Sequence, residues 1–223
     1  MKKLSVIALS KRFGKHHVLD AIALDLAQGQ IVGLFGRNGS GKSTLLQILF
    51  GVSPANTLDL RYNDQKITPK TLIRSQILGC LPQQSFLPKH MKVRDVIPLF
   101  HPQSETQDRI FYAPHIPNIV HQKIGALSLG QARYLEVLLL LHLPHQFLLL
   151  DEPFSMIEPK YKEAIKEIII SLKAKKGILI TDHYYQDVLD ISDRNLVLTK
   201  GKLHQADTIS ALQEMGYLGT ASS

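Results

Sequence analysis

A glycine-rich segment, Gly36-Arg37-Asn38-Gly39-Ser40-Gly41-Lys42-Ser43, constrains the fold of this chain more than any other feature. It matches the pattern G-x-x-x-x-G-K-[ST], in which glycines let backbone N–H groups turn inward around an anion. The apolar run Ile31 to Phe35 precedes it, and the run Thr44 to Phe50, ended by Gly51, follows it. These runs predict a strand before the loop and a helix after it, with the helix N-terminus directed at phosphate groups.

The residues of this loop differ in what they can offer to a nucleotide. Lys42 supplies a point charge to the β and γ phosphates, and the Ser43 hydroxyl can coordinate Mg²⁺. A chance glycine-rich turn is the alternative, and the flanking strand and helix argue against it. We expect nucleotide contacts from Gly36, Arg37, Asn38, Gly39, Ser40, Gly41, Lys42, Ser43 and Thr44.

A second chemical feature is an apolar run, Phe147 to Leu150, that ends in the carboxylates Asp151 and Glu152. Asp151 at the end of such a strand can hold Mg²⁺, usually through water. Glu152 would then lie beside the γ phosphate, where a carboxylate can polarise water. A strand followed by an acidic helix cap is the alternative, which the phosphate loop makes the weaker interpretation.

The remaining pattern predicts an α/β fold with a mostly parallel core sheet. Further short apolar runs predict strands, and an amphipathic run from Pro159 to Ala174 predicts a helix. The prolines between Ser85 and Lys123 indicate a smaller helical or irregular lobe, followed by a helix from Ser128 to about His142. The other expected elements are strands at Leu4 to Leu9, Ile22 to Leu26, Leu58 to Tyr62, Ile77 to Leu81, Ile178 to Ile180 and Leu196 to Leu198, and helices at Asp187 to Ile191 and Thr208 to Met215.

Composition narrows the class of protein. The formal net charge of +7 suits a polyanionic ligand or an anionic membrane surface, or else a generic basic surface. A single cysteine, Cys80, excludes an intrachain disulfide and a zinc ribbon. We expect no signal peptide, because no long apolar run follows the basic N-terminal residues before Lys11 and Arg12. We expect no membrane span, because the most apolar stretch, Val137 to Leu150, is interrupted and short.

Five motifs in one order resemble the ATP-binding cassettes of the ABC family over nearly the whole chain. Leu127 to Gln131 (LSLGQ) resembles the signature, and Cys80 to Gln83 resembles the start of the Q-loop. Ser155 to Glu158 stands where the D-loop stands, and Thr181 to His183 resembles the switch-histidine loop. Phe13 falls where an aromatic residue stacks on adenine.

The resemblance implies a P-loop NTPase of ABC type in one ATP-binding domain, residues 1–223. Residues 1–84 and 143–223 would form the core with an N-terminal antiparallel β subdomain, and about 85–142 a short helical subdomain carrying the signature. Two cassettes, identical or different, would enclose Mg²⁺ and ATP head to tail. Glu152 and His183 would be catalytic, Gln83 would join Ser43 and Asp151 at Mg²⁺, and Ser128, Gly130 and Gln131 would contact ATP bound to the other cassette.

The resemblance also implies a transmembrane permease partner, a place on the cytoplasmic face of the membrane, and no nucleic acid. Phe86, Leu87, Met91 and Val93 are candidates for the permease groove or, alternatively, for lobe core. Ordinary structural roles are likewise the alternatives for Phe13, Gln83, His183 and the Ser128 turn. Three segments are most similar to lipopolysaccharide-export and branched-chain amino acid cassettes: Glu152 to Ser155, Ile180 to His183 and the tail from Gly216 to Gly219.

Two positions depart from the family pattern. Leu129 replaces the usual glycine of the signature, and Glu158 replaces the usual aspartate of the D-loop. We therefore expect slow or partner-dependent hydrolysis. A non-transport ABC ATPase and a weakly hydrolysing regulatory module are the alternative functions.

Overall fold

The computed structural model describes residues 1–214 and residue 217. Its strands form a smaller and a larger sheet. The strands are β1 (Lys3–Phe13), β2 (His16–Ala27), β3 (Ile31–Phe35), β4 (Thr57–Tyr62), β5 (Gln65–Lys66), β6 (Leu78–Leu81), β7 (Phe147–Asp151), β8 (Gly177–Thr181), β9 (Arg194–Thr199) and β10 (Lys202–Gln205). The helices are α1 (Lys42–Leu49), α2 (Pro69–Arg74), α3 (Val93–Phe100), α4 (Ser104–Phe111), α5 (Leu129–His142), α6 (Pro159–Leu172), α7 (Tyr185–Leu189) and α8 (Ile209–Glu214).

The smaller sheet is antiparallel, with strand order β2-β1-β4-β5. Ile22, Leu24 and Leu26 are buried at alternate positions of β2, which explains the alternating apolar pattern of that strand. Leu9 and Ile22 are partners in neighbouring strands, and both belong to the apolar cluster that also contains Leu45 and Leu49 of α1. The smaller sheet therefore covers the helix that follows the phosphate loop.

The larger sheet has the order β10-β9-β3-β8-β7-β6, and only β10 runs antiparallel to its neighbour. Every residue of β3, β7 and β8 is buried, as expected for parallel strands covered on both faces. The carboxyl ends of β3, β6, β7 and β8 meet at one edge of this sheet. Because each is followed by a predicted functional segment, the topology brings those segments together.

The middle of the chain forms a helical lobe from α3, α4 and two 3₁₀ turns, at Ile116–Asn118 and Ile124–Ala126. Leu87 and Val93 are buried in its apolar cluster, and Met91 packs against that cluster, so these three residues are lobe core. Phe86 alone of the groove candidates is exposed to a surface groove, at 38% exposure.

The predicted α/β fold is confirmed, and the helix beginning at Ser128 is confirmed with Ser128 as its N-cap. The elements α2, β5 and β10 were not predicted, because short surface elements carry little apolar periodicity. Met215, Gly216, Leu218 and Gly219, which figured in predicted segments, lie outside the described residues. In the part of the chain that the structure describes, no helix is long and apolar enough to cross a membrane.

Candidate functional site

The phosphate loop joins β3 to α1 through backbone that only glycine accommodates well. Gly41 has φ +107°, and a Cβ there would lie 2.9 Å from Val18 Cγ1. A Cβ on Gly36 would lie 2.7 Å from the carbonyl oxygen of Leu198. Lys42 begins α1 and turns back, so that its ammonium donates to the carbonyl oxygens of Gly36 and Arg37.

Two polar groups in this loop fit an anionic ligand. Lys42 is 7% exposed, and burial lowers its pKa, against the opposing charges of Glu152 and Asp151. Ser40 Oγ is buried without a hydrogen-bond partner. A buried cation and an unpaired hydroxyl beside a helix N-terminus are what a phosphate group would satisfy.

Ser43 and Asp151 lie next to each other at the edge of the larger sheet where the parallel strands end. Ser43 Oγ donates to Asp151 Oδ1 at 3.4 Å. Burial raises the pKa of Asp151, and the Glu152 charge adds to this, whereas the Ser43 hydrogen bond, Arg133 and Lys42 lower it. Because burial without a cation disfavours the ionised carboxylate, this oxygen pair fits Mg²⁺, which prefers carboxylate, hydroxyl and phosphate oxygens.

Glu152 lies at the centre of the remaining polar groups. Its Oε2 accepts from Gln83 Nε2 at 3.2 Å and from Ser155 Oγ at 3.4 Å. Its Oε1 lies 2.8 Å from His183 Nε2. The Glu152 backbone has φ +55°, a conformation that a non-glycine residue adopts only when its surroundings enforce it. Three residues predicted from separate motifs therefore converge here.

One cleft of about 460 Å³ is lined by residues 38–44 of the phosphate loop and by Gln83, Glu152 and His183, whereas Gly36 and Arg37 line smaller adjoining pockets. Phe13 lies at its mouth and is 57% exposed, so the alternative that Phe13 is a core residue is wrong. Lys11 Nζ lies 4.7 Å from the centroid of the Phe13 ring. The described lining residues are Phe13, His16, Val18, residues 38–44, Gln83, Glu152 and His183.

The LSLGQ segment is arranged differently from the other motifs. Ser128 Oγ accepts from the Gln131 backbone N–H at 3.1 Å, and Gln131 Oε1 accepts from the Ser128 N–H at 3.0 Å. This capping box confirms the alternative in which Ser128 caps a helix, and it leaves a ligand role untested. A Cβ on Gly130 would lie 2.9 Å from the Met156 carbonyl oxygen, so packing also requires this glycine. No residue from 128 to 131 is among the described lining of the cleft.

Sequence reasoning missed a buried ion pair on α5 beside the site. Arg133 donates to the carbonyl oxygens of Pro82, Asp151 and Glu152. It also pairs with Glu136 at 3.2 Å, and Glu136 accepts from Ser85 Oγ and from the Phe86 N–H. The sequence feature that could have predicted this pair is the spacing of Arg133 and Glu136, which carry opposite charges at i and i+3 in a mainly apolar helix.

Comparison with known proteins decides the family. The family described as "ABC transporter" matches residues 19–155, more than half of the chain. This chain belongs to the ABC transporter family. It is an ATP-binding cassette of an ABC transporter, and the cassettes of this family are ATPases.

Among the curated relatives, the cassette is 30% identical over 215 residues to the lipopolysaccharide export system ATP-binding protein LptB of Escherichia coli, covering 91% of this chain and 89% of LptB. It is 29% identical over 214 residues to the sulfate/thiosulfate import ATP-binding protein CysA 1 of Shewanella oneidensis. That match covers 90% of this chain but only 57% of CysA 1.

Solved structures show the same fold. A nucleotide-free ATP-binding cassette from an ABC transporter superposes with a TM-score of 0.80 at 22% identity, covering 98% of this chain and 96% of the other. A bacterial Atm1-family ABC exporter with ATP bound gives a TM-score of 0.82 at 20% identity, covering 96% of this chain and 40% of the exporter. The transporter match does not favour the alternative of a non-transport ABC ATPase.

Proposed function

We propose that this cassette hydrolyses Mg²⁺-ATP in a dimer with a second cassette and thereby drives a separate transmembrane permease. The observation that carries the proposal is the convergence of Gln83, Glu152 and His183 at the open side of the phosphate loop. Leu127 and Leu129 line a pocket that adjoins this cleft and shares Glu152 with it. Ser128, Gly130 and Gln131 belong to the described lining of neither space, which supports their contact with nucleotide bound to the partner cassette.

In this proposal the phosphate loop binds the nucleotide and holds its reactive end. Lys42 exchanges its carbonyl partners for the β and γ phosphates, and the Ser40 hydroxyl gains a partner. Ser43, Asp151 and Gln83 would hold Mg²⁺, which neutralises charge on the phosphates when it is bound. Phe13 offers its exposed ring to the adenine base.

Hydrolysis then depends on the polar groups around Glu152. The carboxylate positions the attacking water and accepts its proton, and His183 holds the γ phosphate and that water. Gln83 donates to the Glu152 carboxylate and stands just before the helical lobe in the chain, so it connects the lobe to the catalytic residues. A general base of this kind contributes about 10²- to 10⁴-fold to a rate.

The second cassette would complete each site. Ser128, Gly130 and Gln131 stand at the N-terminus of α5, whose dipole favours a phosphate group. Either a homodimer or a heterodimer of cassettes satisfies this arrangement. Leu129 is 67% exposed beside them and would have to fit against the partner, which supports slow or partner-dependent turnover.

A groove between the core and the lobe is the proposed permease site. It measures about 590 Å³, and its apolar residues include Phe50, Phe86, Phe100, Leu140 and Leu143. An amphipathic segment of a permease would bury these side chains. In this division residues 1–84 and 143–223 bind nucleotide, and about 85–142 carry the signature and one wall of the groove. Docking there would hold the cassette on the cytoplasmic face of the membrane.

Replacing the central carboxylate tests the catalytic proposal. We expect Glu152→Gln to retain ATP affinity, lose about 10²- to 10⁴-fold in hydrolysis and accumulate as an ATP-bound dimer in size-exclusion chromatography. Glu163→Gln is the matched control, because Glu163 is 66% exposed on α6. Wild-type turnover in Glu152→Gln would exclude the proposed role.

Sedimentation with native membrane vesicles tests the groove. Phe86→Asp is expected to release the cassette from the vesicles, because a carboxylate would be buried against the docked segment. Leu99→Asp is the control, since Leu99 is 66% exposed on α3 and does not belong to the described groove lining. Equal release by both variants would reject the groove as the docking site.

A further inference from the structure

Asp182 is a buried carboxylate to which the proposed catalytic scheme assigns no role. It follows β8 directly and is 0% exposed. Its Oδ2 accepts from the Phe154 backbone N–H at 2.7 Å, and its Oδ1 accepts from the Tyr184 N–H at 3.0 Å. Ser155 Oγ lies 3.4 Å from Oδ1 and 3.4 Å from Glu152 Oε2, so the two carboxylates share its one O–H. Both oxygens of one side chain therefore bind donors from two different loops.

These two loops carry the residues that meet in the cleft. Phe154 stands two positions after Glu152, and Tyr184 directly follows His183. Strand pairing cannot hold the loops, because the described pairing of β7 with β8 ends at Asp151 and Thr181. The last backbone bond there runs from the Glu152 N–H to the Thr181 carbonyl oxygen at 2.7 Å. Beyond this point the two loops are joined by hydrogen bonds to the Asp182 carboxylate.

We propose that Asp182 is a positioning residue that fixes Glu152 against His183 by tying the loop after β7 to the loop after β8. The inference rests on the proposed function, since it assumes that Glu152 and His183 act together on ATP. It also implies that contact with a partner cassette affects the position of His183. A partner cassette that contacts the loop at Ser155 to Glu158 would also move His183, because Asp182 bonds to that loop and to the backbone beside His183.

Ion pairs between the following helices extend the connection. Lys162 Nζ on α6 lies 2.8 Å from Asp187 Oδ2 on α7, and 3.4 Å from the centroid of the Tyr184 ring. Lys166 Nζ lies 2.8 Å from Asp187 Oδ1. These contacts hold α6 and α7 together, whereas Asp182 acts at the loops themselves. The two contributions can therefore be separated by mutation.

The sharpest substitution is Asp182→Asn, which preserves size. Because each oxygen accepts from a backbone N–H, the asparagine NH₂ group must face one of those donors and leave it unpaired. We expect kcat to fall about 10- to 100-fold. ATP affinity measured by calorimetry should change less than about threefold, because the phosphate loop is untouched.

A matched control uses the same chemical change elsewhere. Asp193 Oδ2 accepts from the Ile31 N–H at 2.8 Å, away from Glu152 and His183. Asp193→Asn should therefore leave kcat within about twofold, even if stability falls. An equal loss of kcat in both variants would mean that the Asp182 effect is general destabilisation, and would overturn the inference.

A coupling test distinguishes positioning from independent structural damage. If Asp182 acts by holding Glu152 against His183, Asp182→Asn should reduce the rate at least about threefold less in the Glu152→Gln background than in the wild type. Losses that multiply in the double variant would overturn the inference. Retention of wild-type turnover by Glu152→Gln would instead refute the proposed function, so the two failures are distinguishable.

Hydrogen exchange on the wild-type protein supplies a measurement that needs no folded variant. The amides of Phe154 and Tyr184 should be protected and should open with one shared free energy, because one carboxylate binds both. Exchange of the Tyr184 amide at the rate of an exposed loop would overturn the proposed connection.

Discussion

A terminal guanidinium nitrogen of Arg133 donates to the backbone carbonyl oxygen of Glu152 at 3.2 Å. The Glu152 carboxylate contacts Gln83 and His183 instead. The same guanidinium donates to the Pro82 carbonyl oxygen at 2.7 Å. One side chain on α5 therefore connects the ends of β6 and β7. A shift of α5 against the core sheet would be transmitted to the backbone that carries the central carboxylate.

Arg133→Lys tests how much the hydrogen bonds of the Arg133 guanidinium contribute to stability. A lysine keeps the charge but lacks the planar set of donors, so several buried carbonyl oxygens would lose a partner. We expect the free energy of unfolding, measured with urea, to fall by about 1–3 kcal/mol. Arg109→Lys is the control at an exposed ion pair with Glu105 and should change stability by less than about 0.5 kcal/mol. Equal stability of the two variants would contradict the role given to the Arg133 guanidinium.

Lys42→Ala tests the phosphate loop. The variant removes the buried ammonium that we expect at the β and γ phosphates, and ATP affinity should fall about 10- to 100-fold. Isothermal calorimetry measures this loss directly. Lys70→Ala on α2 is the control, because Lys70 is exposed and belongs to no described lining of the cleft. Unchanged affinity in Lys42→Ala would contradict the assignment of the loop.

Ser128→Arg tests whether the signature acts on the partner's nucleotide. ATP binding to the monomer should stay within about threefold of wild type, because Ser128 lies outside the described lining of the cleft. ATP-driven dimerisation and hydrolysis should be lost, because the longer side chain would fill the phosphate contact.

Mixing Ser128→Arg with Lys42→Ala sharpens this test. A mixed dimer has one site with both defects and one site with neither, so some activity should return if the sites can work singly. The contradicting outcome is a monomeric Ser128→Arg sample that binds ATP as weakly as Lys42→Ala does. That result would place the Ser128 contact within its own chain.

Lys176 predicts a dependence of stability on pH. Lys176 directly precedes β8 and is 6% exposed, and its ammonium donates to the carbonyl oxygens of Leu143 and His145 just after α5. Burial lowers the pKa of Lys176 to about 8, from the ordinary value of 10.5. Between these values the unfolded chain binds more protons than the folded chain. Rising pH therefore favours the folded state through this residue.

Comparison with Lys176→Met isolates the effect. The stability of the wild type relative to this variant should increase by about 2 kcal/mol between pH 7.5 and pH 9.5, measured by urea unfolding at each pH. Lys175→Met is the control, because Lys175 is exposed, and its difference from wild type should stay nearly constant. A wild-type advantage that shrinks with rising pH would reverse the sign and refute the argument.

Local sequence signals predicted much of the fold. The strand β3, the loop before Lys42 and the capped helix α5 follow from apolar period, glycine spacing and the Ser128 cap. Leu87 and Val93 show the limit of such signals. An apolar residue in a proline-rich segment can face either a groove or a core, and only packing buries these two completely or nearly so.

The sequence by itself determined which groups this cassette can offer. Some features depend only on residues that are neighbours in the chain, so the sequence predicts them. They are glycines at sterically restricted positions, a lysine at the start of a helix and carboxylates at the end of a strand. The tertiary structure alone decided how groups far apart in sequence meet. Glu152 reaches Gln83 and His183 because β6, β7 and β8 lie side by side in the parallel sheet. Asp182 and Arg133 acquire their partners only there, because a buried charge takes its hydrogen bonds from whichever backbone groups the packed fold leaves unpaired.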